Sequence, residues 1–282
     1  MNCKNCEYNL TETAQFCQSC GAKVVQDRIT VKKLRKDFFN DVLGWDNAYF
    51  KTFKTFLIAP NEVALQYISG TRKRFIQPFT FLAIGMAIAT FVFNSFSEEY
   101  VNVSSSIQDE TFYKQLFNFV ELQNKENPAD YVGSEEYNAK YVIYRDNQIE
   151  TNKNVQKTIL KYFNIMVFLS LPIYTYIAFI VFGRKRFNYG EHLVINAYIQ
   201  GFTMVFSVVF FFSGILVQPY FYFLSLPLAI FYYLFTYKKL YNTSWGVSIL
   251  KFLKFLVILF ITIIGLMILG FVLGFLGAMI FG

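Results

Sequence analysis

Stretches 78–96, 162–182, 193–218, 220–237 and 255–282 contain no Asp, Glu, Lys or Arg. A helix needs roughly 18 to 20 such residues to cross about 30 Å of hydrocarbon, because each residue advances it by about 1.5 Å. Five runs of this length predict an all-α polytopic membrane protein with TM1 to TM5 at those positions. Composition agrees, since 55% of the residues are hydrophobic and only 16% are charged, against about 25% charge in ordinary soluble domains. Pro219 alone separates the third and fourth runs, which predicts a helical hairpin rather than one long helix. The polar first twenty-eight residues lack the apolar core and cleavage site of a signal peptide.

Lysine and arginine set the expected orientation. Residues 1–77 carry 12 basic against 7 acidic side chains, and 97–161 carry 7 against 11. The remaining basic residues are Arg184, Lys185 and Arg186 after the second run, and Lys238, Lys239, Lys251 and Lys254 around the start of the fifth. A cytoplasmic N-terminus and an external C-terminus put every basic loop inside and the acidic segment outside, as the positive-inside rule requires. The expected location is a cell (inner) membrane, crossed several times. The external insertion, 97–161, reads as a small α+β element: TFYKQLFNFVELQ has helical spacing, and YVIYRDNQIE is strand-like with a turn at Asp146 and Asn147.

All four cysteines lie in the first twenty residues: Cys3, Cys6, Cys17 and Cys20, as C-x2-C, ten residues, C-x2-C-G. This spacing brings four thiolates to one tetrahedral centre and predicts a zinc ribbon over 1–24. Gly21 suits the left-handed turn of a knuckle. Disulfides would use the same count but rarely persist in a reducing cytoplasm, whereas an iron centre would use the same sulfurs. About twenty residues with Tyr8, Leu10 and Phe16 as their main apolar groups need the metal to fold. Four cysteine ligands leave no open position for catalysis by zinc, so one structural zinc is expected. A docking role toward a cytoplasmic protein partner follows. Lys4 and Lys23 make no basic stripe, which argues against nucleic acid.

Between ribbon and first span, 28–77 reads as amphipathic juxtamembrane helices. Val31, Leu34, Phe38 and Val42 repeat at three and four residues beside Lys32, Lys33, Arg35 and Lys36, and Tyr49, Phe53, Phe56 and Leu57 form a second apolar face. Such helices lie in the membrane interface. Pro60 fits the start of a further helix over 61–69 and Gly70 its left-handed cap. Arg72, Lys73 and Arg74 then precede the first span as a topological anchor and a candidate contact for anionic lipid head groups.

The order of a CxxC…CxxCG ribbon, Arg28-Ile29-Thr30, Pro60, Tyr67, Gly70, Arg72, Arg74, an aromatic at 75, Pro78 and Phe79 resembles a family of bacterial polytopic membrane proteins known only as a zinc-ribbon domain of unknown function. The resemblance covers roughly the first 95 residues. Ala22, Asn61 and Phe75 depart from glutamine, glycine and tyrosine in the family pattern. It implies an architecture in which the ribbon and the stretch from Gly70 to Phe79 belong together, and no activity.

Within the spans, His192, Asn196, Gln200, Thr203 and Ser207 recur on one helical face, as helix-gluing groups or as the lining of a path. In the last span Gly270, Gly274, Ala278 and Gly282 are spaced by four, a seam for a neighbouring helix or for a second protomer in a homo-oligomer. Asp37, Asp41 and Asp46 have no histidine partners, and no nucleophile motif or phosphate-binding glycine loop is present. The expectation is a non-enzymatic adaptor or sensor. The alternatives are a small-molecule or lipid permease using the stripe on the third span, and a membrane-embedded lipid-modifying enzyme.

Overall fold

The structure is a computed structural model, and it describes residues 2–11, 13–22, 24, 48–72, 74–124, 128–183 and 185–281. The amphipathic helix expected from Arg28 through Asp46 lies outside the described residues, as do Lys73, Arg184 and Gly282. The chain divides into two compact units, 1–47 and 48–282.

Among the described residues the second unit is helical throughout. Its elements are α1 (Ala48–Ile58), α2 (Pro60–Ile68), α3 (Pro78–Ser95), α4 (Ser97–Ser104), α5 (Glu110–Glu121), α6 (Pro128–Tyr131), α7 (Glu135–Phe182), α8 (Tyr189–Leu216), α9 (Ser225–Tyr241) and α10 (Trp245–Phe281). Short 3-10 turns sit at Leu122–Asn124 and Pro219–Leu224. Five helices are long and apolar enough to cross a membrane: α3, the end of α7, α8, the 3-10 turn with α9, and α10. The protein is therefore a multi-pass membrane protein.

The insertion corrects the sequence expectation. No strand forms in the described part of 97–161; the stretch read as YVIYRDNQIE with a turn at Asp146 and Asn147 is the continuous helix α7, 48 residues long. Ser134 caps it by accepting from the Tyr137 N–H. Tyr137, Tyr141 and Tyr144, spaced by four and three, form a helical face that closes on Phe117 of α5. The β-branched and aromatic letters that open the stretch favour a strand, but spacings of four and three bring the tyrosines to the Phe117 ring only with a 3.6-residue period. Tyr137 donates to Asn118 Oδ1 at 2.6 Å and Tyr141 to Glu110 Oε1 at 2.6 Å. Burial, then the Glu110 carboxylate, pushes the Tyr141 hydroxyl up to about 12. Lys140 bridges Glu136 and Glu121 at 3.0 and 3.2 Å, and those two carboxylates hold its ammonium above the usual lysine range.

α1 and α2 form a hairpin whose apolar face meets protein as well as any lipid. Phe56 is buried against Tyr198 and Phe202 of α8, and Phe53 packs on Phe202 and Phe206. This modifies the picture of a purely interfacial helix: the rings find partners at the middle of α8. α2 ends in a Schellman cap, with Gly70 at φ +104°, its N–H bonded to Tyr67 O and the Thr71 N–H to Gln66 O.

The closest helix crossing joins α3 to α8. A Cβ placed on Gly85 would lie 2.6 Å from the Gly201 carbonyl oxygen, and one on Gly201 would lie 3.0 Å from Leu82 Cα. The two glycines belong to small-xxx-small pairs, Gly85 with Ala89 and Ala197 with Gly201, and both alanines are fully buried. Such pairs let backbones approach closely in lipid, where packing replaces the hydrophobic effect between helices. The seam in α10 differs: a Cβ on Gly270 meets nothing within 4 Å, the side chains at Gly274 and Ala278 are outside the described set, and Gly282 is too. Gly201→Leu should lower the thermal stability of the detergent-purified protein by at least the 1 to 3 kcal/mol typical of roughly one inserted core side chain. Gly265→Ala, at a position with open space, should leave it within about 0.5 kcal/mol.

Candidate functional site

The first unit is organised by its sulfurs. Cys3 and Cys17 are buried, Cys6 and Cys20 exposed, all four are free thiols, and their Sγ atoms lie within 4.8 Å of one another. Cys3 to Cys20 is 3.7 Å and Cys6 to Cys17 is 3.6 Å. A tetrahedron with metal–sulfur bonds of about 2.3 Å has edges of about 3.8 Å, so the four residues fit one tetrahedral metal ion. Two matching knuckles build the site: the Glu7 N–H bonds to Cys3 O and the Gly21 N–H to Cys17 O, with φ of 61° at Glu7 and 72° at Gly21. Each chain then returns alongside itself, Cys3 N–H to Tyr8 O and Cys17 N–H to Ala22 O.

These backbone donors act on the thiols unequally. The Ala22 N–H, with the Asn5 side chain, lowers Cys20 to about 6, and the N–H groups of Asn5 and Cys6 lower Cys3. The Tyr8 N–H favours a thiolate at Cys6, but crowding by Cys20, burial and the other sulfurs push it up to about 12. Four clustered sulfurs cannot all ionise without a cation among them, which is why metal binding releases protons and folds such modules.

The second cluster joins α8 to α9. His192 and Asn196 are buried, at 0% and 3% exposure. Tyr241 Oη donates to Gly183 O at 3.0 Å, so it accepts from His192 Nε2–H at 3.0 Å. Nδ1 is then the acceptor, taking the Tyr237 hydroxyl proton at 3.1 Å, and Tyr237 in turn accepts from Asn196 Nδ2 at 3.1 Å. One uncharged relay therefore runs from Asn196 through Tyr237, His192 and Tyr241 to the Gly183 carbonyl. Asn196 also reaches Thr175 Oγ1 on α7 at 3.4 Å. The stripe divides here. Thr203 and Ser207 bond only to carbonyls of their own helix, Gln200 O and Met204 O, and Gln200 Oε1 is buried with no hydrogen-bond partner.

A third cluster pins the collar. Thr52 Oγ1 donates to Ala48 O at 2.6 Å and accepts the Ile76 N–H at 3.0 Å, while Tyr198 Oη donates to Ile76 O at 2.7 Å. Tyr232 Oη holds Leu57 O at 3.0 Å. Arg72 lies over the Tyr67 ring, and Arg74 donates to Gln66 Oε1 at 3.1 Å beside the Phe75 ring. The chain from α1 into α3 is thus tied to α8 and α9.

This collar is where a family model matches. Residues 46–90 match a family described as a protein of unknown function, DUF3667. The match is to that stretch alone and does not extend to the ribbon. No curated protein and no solved structure matches the chain significantly.

Several of the residues that matter here carry no marking motif in the sequence reading: Thr52, Tyr198, Tyr237 and Tyr241. A signal for two of them exists. Tyr233, Tyr237 and Tyr241 are spaced by four on α9, the complement of His192, Asn196 and Gln200 spaced by four on α8.

Two outcomes follow. Gly21→Val, forcing a β-branched residue to φ 72°, should weaken metal binding about ten-fold by chelator competition, because that conformation costs about 1 to 2 kcal/mol outside glycine. His192→Leu should cost about 1 to 3 kcal/mol of thermal stability by leaving the Tyr237 hydroxyl proton without its acceptor, whereas Ser207→Ala should stay within about 0.5 kcal/mol.

Proposed function

We propose that this integral membrane protein is a non-enzymatic adaptor whose ribbon, held in the cytoplasm and folded around one zinc ion, docks a protein partner. The observation that carries this reading is the ribbon itself. Four thiols converge at tetrahedral spacing in a compact unit separate from the bundle, so its metal would fold a module that the spans do not need. Cys3, Cys6, Cys17 and Cys20 would hold the ion, which supplies folding free energy and, with no ligand position left open, no Lewis-acid chemistry. Tyr8 and Phe16 are 49% and 50% exposed on this small unit, the kind of aromatic anchor that interfaces favour.

Zinc is taken from the two C-x2-C pairs, the spacing of structural zinc ribbons, since four thiolates alone would also hold iron. The basic-loop count supports an N-terminus inside a cell (inner) membrane, with Arg72, Lys73 and Arg74 among anionic head groups. A permease along the α8 stripe is the weaker reading, because His192 and Asn196 are used up in joining α8 to α9. Homo-oligomers through α10 remain an extension of the same scheme.

The full-length protein purified from native membranes should carry about one zinc per chain and retain a cytoplasmic protein. Cys17→Ser should lose both. The paired change Tyr8→Ala, Phe16→Ala should keep the zinc and lose the partner, and retention of the partner by that variant would overturn the docking role.

A further inference from the structure

Outside the spans, a cavity of about 210 Å3 lies between α4, the turn that follows it, α5 and α7. Val101, Tyr113 and Ile149 give it apolar walls, and Asn102, Gln108, Asn152 and Lys153 polar ones. One amide there is held in place by the protein. Gln108 Oε1 accepts both the Tyr113 hydroxyl, at 3.2 Å, and an Asn152 Nδ2–H, and the Gln108 backbone N–H is tied to Ser105 O at 2.9 Å. With its oxygen doubly engaged, the Gln108 carboxamide turns Nε2 away from these partners. Neither Gln108 Nε2 nor Asn152 Oδ1 has a hydrogen-bond partner among the described residues, and neither is buried away from solvent. Lys153 and Asn102 are exposed, and no ion pair among the described residues engages Lys153.

These groups define a ligand. A fixed N–H donor and an ammonium without a carboxylate partner suit an anionic acceptor, whose charge-assisted hydrogen bonds are stronger than neutral ones. No Asp or Glu lines the cavity, so a cationic or zwitterionic ligand would bring an ammonium that nothing there compensates. One lysine balances one charge, which fits a carboxylate better than a phosphate carrying close to two. Asn152 Oδ1 and the Asn102 amide offer acceptors to a hydroxyl. A space of about 150 Å3 accepts a benzene-sized molecule, so about six to eight heavy atoms fit here. Lys153 stands nine residues before the charge-free run that begins at Tyr162, roughly 13 Å along the helix at about 1.5 Å per residue, so the ligand arrives from water rather than from lipid. We propose that the cavity between α4, α5 and α7 is a binding site for a small, water-soluble hydroxycarboxylate, its carboxylate met by Lys153 and Gln108 Nε2 and its hydroxyl by Asn152. The site is independent of the ribbon and goes beyond its docking role.

The test uses the full-length protein in nanodiscs of zwitterionic lipid and three probes followed by saturation-transfer NMR. They are lactate, lactamide as its uncharged isostere, and propionate as the acid without the hydroxyl. Wild-type protein should bind lactate saturably, about ten-fold more tightly than lactamide and several-fold more tightly than propionate, the usual worth of a charged and of a neutral hydrogen bond. Lys153→Met should lose most of the preference over lactamide with the melting temperature unchanged, because this ammonium pairs with no carboxylate of the protein. Lys161→Met removes the same charge about two turns further along α7, at a residue that does not line the cavity, and should keep the preference. Equal affinity of lactate and either companion probe for wild type, an unchanged preference in Lys153→Met, its equal loss in Lys161→Met, or no saturable binding would each overturn the proposal.

Discussion

Backbone contact between α3 and α8 at Gly85 and Gly201 is the constraint on which the second unit depends. With a Gly85 Cβ position 2.6 Å from the Gly201 carbonyl, no side chain can be interposed, and the two helices are locked at one crossing point. Everything that follows is set out from there. Phe81 packs on Tyr198 on one side of the contact, and Phe93 on Phe211 on the other. Tyr198 is thereby placed to hold the Ile76 carbonyl, and Ile76 to meet Thr52. The collar hairpin is seated on the bundle by hydrogen bonds and rings together, which explains why α1 does not simply float at a lipid surface. The family match over 46–90 spans this seated hairpin and most of α3, a unit that makes structural sense as one piece.

The polar chemistry inside the bundle obeys the same economy. A membrane interior offers no water to satisfy stray groups, and the His192 relay closes on itself, ending at a backbone carbonyl that the turn after α7 leaves free. Nearby cations are handled through rings and carbonyls. Lys251 donates to Phe182 O and sits over the Tyr241 ring, and Arg186 lies over the same ring.

The spans were legible because a charge-free run of twenty residues has few other uses, and the metal site because cysteine spacing alone brings four sulfurs together. The insertion was not legible in full. Tyr137, Tyr141 and Tyr144 have helical spacings of four and three, but YVIYRDNQIE begins with four strand-favouring side chains, and only Phe117 opposite the tyrosines shows which signal counts. The four small residues in register in the last span mark a seam from spacing alone. The tight crossing between α3 and α8, at Gly85 with Ala89 and Ala197 with Gly201, carries a shorter signal, because closeness depends on a partner with a matching gap.

By itself the sequence determined the solvent: runs of apolar residues commit most of this chain to a bilayer, and two CxxC knuckles commit its first residues to a metal. Both are properties of local composition and spacing, and the second brings four thiols to where they could hold a metal ion. Only the tertiary structure decided which polar residues are spent and which are left over. His192, Asn196 and Gln200 share one face of one helix, yet the first two meet Tyr237 and Tyr241 across the interface while Gln200 Oε1 finds no hydrogen-bond partner among the described residues. That difference is set by what α9 presents at each level.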